Sequence, residues 1–173
     1  SKTITYDFKQ ANSVLLMVGA RKDECGGSVY YQLHNELGSQ LPKPDLAAFA
    51  DEISAVHAAI QTGLVLAAHD ISEGGIAVAL AEMSFKNELG VNVFIPGTLA
   101  NDKKLFTESG GFILEVSPEH VSMLEQIFHK YSVSFQTIGE TTATPTLIMN
   151  SVINLSVSAA KTAWKNGLVE TLI

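Results

Sequence analysis

The chain has 173 residues, 46% hydrophobic and only 17% charged, enough to bury roughly 70% of the surface its unfolded form exposes in one core. The net charge of −7 comes with eleven scattered basic residues, which make no face for nucleic acid, and apolar runs such as 14–18 and 76–81 fall far short of the ~20 residues that cross a bilayer. One cysteine, Cys25, allows no internal disulfide, and with an opening that lacks a signal-peptide pattern it predicts a reducing, cytoplasmic setting.

Thr3 to Phe8 alternates as a half-exposed edge strand does, and Ser13 to Gly19 is an unbroken apolar run that reads as a buried strand. A loop carries Arg21, the only arginine, whose guanidinium could clamp a phosphate or carboxylate or simply stand on the surface. Gly26-Gly27-Ser28 then opens a helix expected over 29–37, with Gly38 as its C-cap. Pro42 and Pro44 break the path, and Asp45 caps a helix to about Gln61. Its expected inward stripe is Leu46, Phe49, Ala50, Ile53, Val56 and Ile60, with His57 packed beside it.

Leu64 to Ala68 is a strand that feeds His69-Asp70-Ile71-Ser72-Glu73-Gly74-Gly75, a polar glycine elbow, and a helix to about Lys86 follows. Helix starts carry unpaired N–H groups and the positive dipole end, and paired glycines let an anion approach the main chain. The same design occurs at Gly26-Gly27. Each elbow is a candidate anion cradle, and each is also an ordinary way to begin a tightly packed helix.

Val91 to Ile95 is the next predicted strand, and 101–106 is a short helix that delivers Thr107-Glu108-Ser109-Gly110-Gly111 to the strand over 112–116. Glu108 is an acid among small residues, a metal or hydroxyl partner or a plain loop glutamate. Ser117-Pro118 starts a helix to about Tyr131, with Val121, Leu124, Ile127 and Phe128 inward. Strands are expected over 133–139, 146–149 and 152–155, the last two as a hairpin, before an amphipathic helix over 158–166. The histidines and the one thiol have no zinc-ligand spacing. These elements predict an α/β (α+β) class, a mixed β-sheet packed with helices, in a single domain over 1–173.

Three stretches carry a resemblance. Residues 68–83, Ala-His-Asp-Ile-Ser-Glu-Gly-Gly-Ile-Ala-Val-Ala-Leu-Ala-Glu-Met, are similar to the His-Asp-x-Ser-Asp-Gly-Gly-Leu-Ala-x-x-Leu-Ala-Glu-Met stretch of the phosphoribosylformylglycinamidine synthase family. Residues 23–30 resemble its Asp-Glu-Leu-Gly-Gly-Ser-x-Tyr, and 105–109 its Leu-Phe-Ser-Glu-Ser. The resemblance implies a fold like the C-terminal domain of aminoimidazole ribonucleotide synthetase. It implies the last such unit of a larger purine-biosynthetic ligase that converts formylglycinamide ribonucleotide to the amidine with ATP and ammonia. It also implies no catalytic residue in this chain, and inactivity of the chain alone.

Carried over by residue, Gly26, Gly27, Ser28, Ser72, Gly74 and Gly75 match phosphate-facing loops, Asp70 a metal-binding acid, and Glu108 and Ser109 a substrate-contacting segment. The implied cofactors are ATP or ADP with Mg²⁺ in the full-length enzyme, none being required by the isolated domain. The implied partners are preceding ATP-binding domains of the same protein, a glutaminase subunit and the ribonucleotide substrate, with neither nucleic acid nor membrane. Glu73 for aspartate and Cys25 for leucine depart from the pattern, and Arg21 inherits no role. The alternatives are a non-catalytic docking or structural-nucleotide module, or another superfamily member such as aminoimidazole ribonucleotide synthetase or selenophosphate synthetase. Convergence of Asp70, Ser72 and Glu108 on one pocket would favour a working site over a module.

Overall fold

A computed structural model describes residues 2–170. Seven strands, β1 (Val14–Val18), β2 (Val65–Asp70), β3 (Gly90–Val93), β4 (Phe112–Val116), β5 (Phe135–Thr142), β6 (Thr146–Met149) and β7 (Ile153–Ser156), form one sheet in the order β2-β4-β1-β5-β3-β6-β7. The β3–β6 pair is parallel and the other pairings are antiparallel, so the sheet is mixed as expected. The helices are α1 (Val29–Leu33), α2 (Leu46–Thr62), α3 (Gly75–Ser84), α4 (Asn101–Phe106), α5 (Val121–Lys130) and α6 (Val157–Glu170).

Period-two alternation divides the core between the two faces of the sheet. In β1, Leu15 and Met17 join a cluster containing Ile76, Leu80 and Met83 of α3 and Leu105 of α4. Leu16 and Val18 join one containing Ala55, Val56 and Ala59 of α2 and Leu124 and Phe128 of α5. β4 repeats the division with Ile113 on one side and Leu114 and Val116 on the other. Helices therefore cover both faces.

Three local expectations change. Thr3 to Phe8 forms no strand; the neighbouring amides find other acceptors, Phe8 N–H donating to the Met83 carbonyl, and Lys9 and Gln10 N–H to the buried Glu115 carboxylate at 2.8 and 3.1 Å. α1 stops at Leu33, because Asn35 turns to φ +55° and the Glu36 amide reaches back to the Tyr31 carbonyl. α2 has its Asp45 cap but buries only Ala55, Val56 and Ala59. Leu46, Phe49 and Ile53 of the expected stripe are exposed, as is His57.

Candidate functional site

Both glycine elbows lie against the loop that joins α4 to β4. Tyr30 of α1 stacks on Phe106 of α4, ring centroids 4.5 Å apart and planes within 1°. Lys103 Nζ donates to the Tyr31 hydroxyl and lies 3.3 Å from the Asp23 carboxylate. The Tyr31 bond is the leading cause that raises the pKa of the Lys103 ammonium. α3 and α4 also pack together, with Gly75 of α3 against the end of α4. The start of α1, the start of α3 and the 107–111 loop therefore form one unit.

Glu108 joins them. Its Oε1 accepts the Gly74 N–H at 2.9 Å and the Val29 N–H at 3.0 Å, one donor from each elbow. A carboxylate there also opposes the positive ends of two helices. Arg21 holds the loop from behind: its guanidinium donates to the Gly110 carbonyl and, at 3.4 Å, to that of Thr107, on either side of Glu108. Burial pushes the Arg21 pKa down to about 10, against the charge of Glu52. The Thr107 hydroxyl donates to the Glu24 carbonyl at 3.2 Å. Arg21 Nε and Ser109 Oγ are buried with no hydrogen-bond partner among the described residues.

The other glycine amides of the elbows and the Ser28 hydroxyl are committed within the chain. Gly26 N–H donates to the Gln40 carbonyl at 2.8 Å and Gly27 N–H to that of Leu37 at 2.7 Å. Ser28 Oγ donates to the Cys25 carbonyl at 2.6 Å while accepting the Tyr31 N–H as the cap of α1. Gly75 N–H donates to the Ser72 carbonyl at 3.0 Å. The glycines admit the chain's own backbone: a Cβ at Gly26 would lie 2.8 Å from the Gln40 carbonyl, and one at Gly75, where φ is +67°, 2.6 Å from that of Leu105. Each amide has one hydrogen, so a phosphate finds no free donor at Gly26, Gly27, Gly74 or Gly75. The four glycine amides therefore offer no main-chain cradle to a nucleotide phosphate.

Asp70 and Ser72 are exposed. Asp70 ends β2 and lines a cleft of about 760 Å³ with Ile4, Tyr6, Asp7, His69 and Phe112. A second cleft of about 450 Å³ shares Tyr6, Asp7 and His69 and adds Glu82, Lys161 and Trp164. Neither wall includes Ser72 or Glu108, so these clefts do not unite the three residues. Among the described residues no group of three or more His, Cys, Asp or Glu side chains could hold a metal. His69 Nδ1 donates to the Asp70 carbonyl at 2.7 Å and Nε2 lies 3.2 Å from Glu82, which accepts the Trp164 indole N–H at 2.9 Å.

Arg21, which the sequence leaves open between an anion clamp and a surface side chain, holds main-chain carbonyls instead. Two paired-glycine elbows and one acid among small residues are the signal for an internal anion that takes one amide at each, but pairing them needs the contact between the starts of α1 and α3.

A family model for the AIR synthase related protein, C-terminal domain, matches residues 10–150. The phosphoribosylformylglycinamidine synthase subunit PurL of Alkaliphilus metalliredigens is 31% identical over 173 residues, 97% of this chain and 23% of its own length. That of Symbiobacterium thermophilum is 40% identical over 146 residues, 80% of this chain and 19% of its own. The chain thus spans about a quarter of the curated relatives it matches. Among solved structures, Thermotoga maritima PurL complexed with FGAR superposes with a TM-score of 0.79 at 20% identity, over 91% of this chain and 29% of that one. Thiamine-monophosphate kinase from Stenotrophomonas maltophilia gives 0.61 at 13% identity, over 87% and 54%. At such identities the superpositions show the fold.

Proposed function

The chain belongs to the family of the AIR synthase related protein, C-terminal domain, and from that premise we propose that it is one such unit of a phosphoribosylformylglycinamidine synthase, the ligase that forms formylglycinamidine ribonucleotide with ATP and ammonia. The observation that carries this reading is the alignment of curated subunits of that name along 80–97% of the chain. No part of the phosphoryl transfer is assigned to this chain.

The committed amides of Gly26, Gly27, Gly74 and Gly75 leave the exposed Asp70 and Ser72 as the groups through which the unit would face a nucleotide and its Mg²⁺. Among the described residues Asp70 belongs to no group of three or more side chains that could hold a metal, so the other ligands would come from a preceding ATP-binding domain. Glu108 serves the architecture of the elbows in this reading rather than substrate contact, whereas the buried Ser109 Oγ makes no hydrogen bond among the described residues. A glutaminase subunit as the ammonia source and a cytoplasmic setting belong to the same proposal. The docking-module alternative gains from Leu33 and Leu37, 77% and 75% exposed, and Leu46, 75% exposed, because a preceding domain would cover such residues.

The test replaces the matching segment of the Alkaliphilus metalliredigens subunit by this chain and introduces the hybrid into a purine auxotroph that lacks the synthase. Growth without added purine is expected. A hybrid that accumulates in folded form but supports no growth contradicts the reading.

A further inference from the structure

A phosphate-binding elbow gathers main-chain N–H groups around an anion that arrives from solution. Here the anion is part of the chain. Glu108 Oε1 takes the Val29 and Gly74 amides together at 3.0 and 2.9 Å. The loop that carries it is held by Arg21 at Thr107 and Gly110 and by the Thr107 hydroxyl at Glu24. The flanking helices are locked by the Tyr30–Phe106 stack and by the Lys103–Tyr31 bond. We propose that Glu108 is a tethered anion, permanently occupying the two-amide pocket between the elbows, so that this pocket takes no phosphate from solution and its carboxylate binds the two helix starts together. This goes beyond the family reading and does not depend on it.

Because a single oxygen accepts both bonds, charge and hydrogen bonding can be separated. Glu108→Gln keeps an oxygen in place without the charge, whereas Glu108→Ala empties the pocket and leaves two donors unpaired. The experiment follows thermal unfolding of the 173-residue chain and both variants in sodium formate against sodium chloride at equal ionic strength, with inorganic phosphate as a further arm.

Glu108→Ala should melt below the native chain, and formate at about ten times its dissociation constant should recover roughly 3–5 °C of the loss. The native chain and Glu108→Gln should not respond to formate beyond chloride, and phosphate should not stabilise the native chain. A Glu108→Ala variant that gains no more from formate than the native chain does, or a native chain that phosphate stabilises saturably, overturns the proposal. Should Glu108→Ala fail to fold, the amide protons of Val29 and Gly74 in Glu108→Gln decide. Both moving upfield together, from a charged to a neutral acceptor, is the expected result, and resonances that stay in place overturn it. Failure in any arm leaves the complementation result untouched.

Discussion

At Arg21 a side chain that could have met a ligand is spent on main chain. Two carbonyls of the 107–111 loop receive its guanidinium, and burial has lowered its pKa to about 10. Arg21→Met should leave those carbonyls short of donors and cost ~1–3 kcal/mol in urea unfolding; a change within 0.3 kcal/mol would remove Arg21 from the support of Glu108. Asp7 works through charge. Burial opposes its ionisation, but hydrogen bonds from Lys86 and Thr5 and the charges of Lys86 and Lys9 outweigh it, so its pKa is lowered. A carboxyl lowered on folding stabilises the native state above its unfolded value and loses that contribution as pH falls through the folded one. Asp7→Asn should therefore reduce the stability lost between pH 5 and pH 2, read as the difference in urea midpoints between variant and native chain. Equal losses would contradict the sign. Cys25 is fully buried and its thiol pKa is pushed up, chiefly by burial, so it should react with a thiol reagent only at the rate of unfolding.

At the scale of elements, the helices divide into surfaces that hold the fold and surfaces that do not. Leu124 of α5 is fully buried, and Leu124→Ala should cost ~2–5 kcal/mol. Leu46→Lys with Ile53→Lys on α2 should change the stability of this chain by no more than about 0.5 kcal/mol per site, since both side chains stand in solvent. Urea midpoints of the two variants side by side test the division. Periodicity revealed β1, β4, the β6–β7 hairpin and α2 with its Asp45 cap, because each depends on its own residues. It carried the inward stripe of α2 too far, since Val56 and Ile60 pack on the core while Leu46, Phe49 and Ile53 do not: a 3.6-residue pattern marks an apolar face without saying whether this chain covers it. It misread Thr3 to Phe8, whose last amide donates to the Met83 carbonyl at the end of α3 instead of to a neighbouring strand. The glycine pairs at 26–27 and 74–75 were legible as close approaches, but the approaching group is the backbone at Gln40 and at Leu105.

For the molecule as a whole, a sheet with helices on both faces sets two helix starts against one loop, and Glu108 closes the space between them. The family follows from the match over residues 10–150, while the elbows supply architecture instead of a ready phosphate site. Asp70 at the end of an edge strand and the apolar first turns of α2 are left facing outward. Alone, the chain should form no amidine from formylglycinamide ribonucleotide, ATP and ammonia; turnover by the purified chain would contradict the division of labour proposed here. The most direct measurement of the central claim is an amide-resolved NMR titration of the native chain with inorganic phosphate and then ADP. The resonances of Gly26, Gly27, Val29, Gly74 and Gly75 should stay in place, because their protons are already bonded within the chain. Saturable shifts centred on Val29 and Gly74 would mean that Glu108 yields its place to a phosphate.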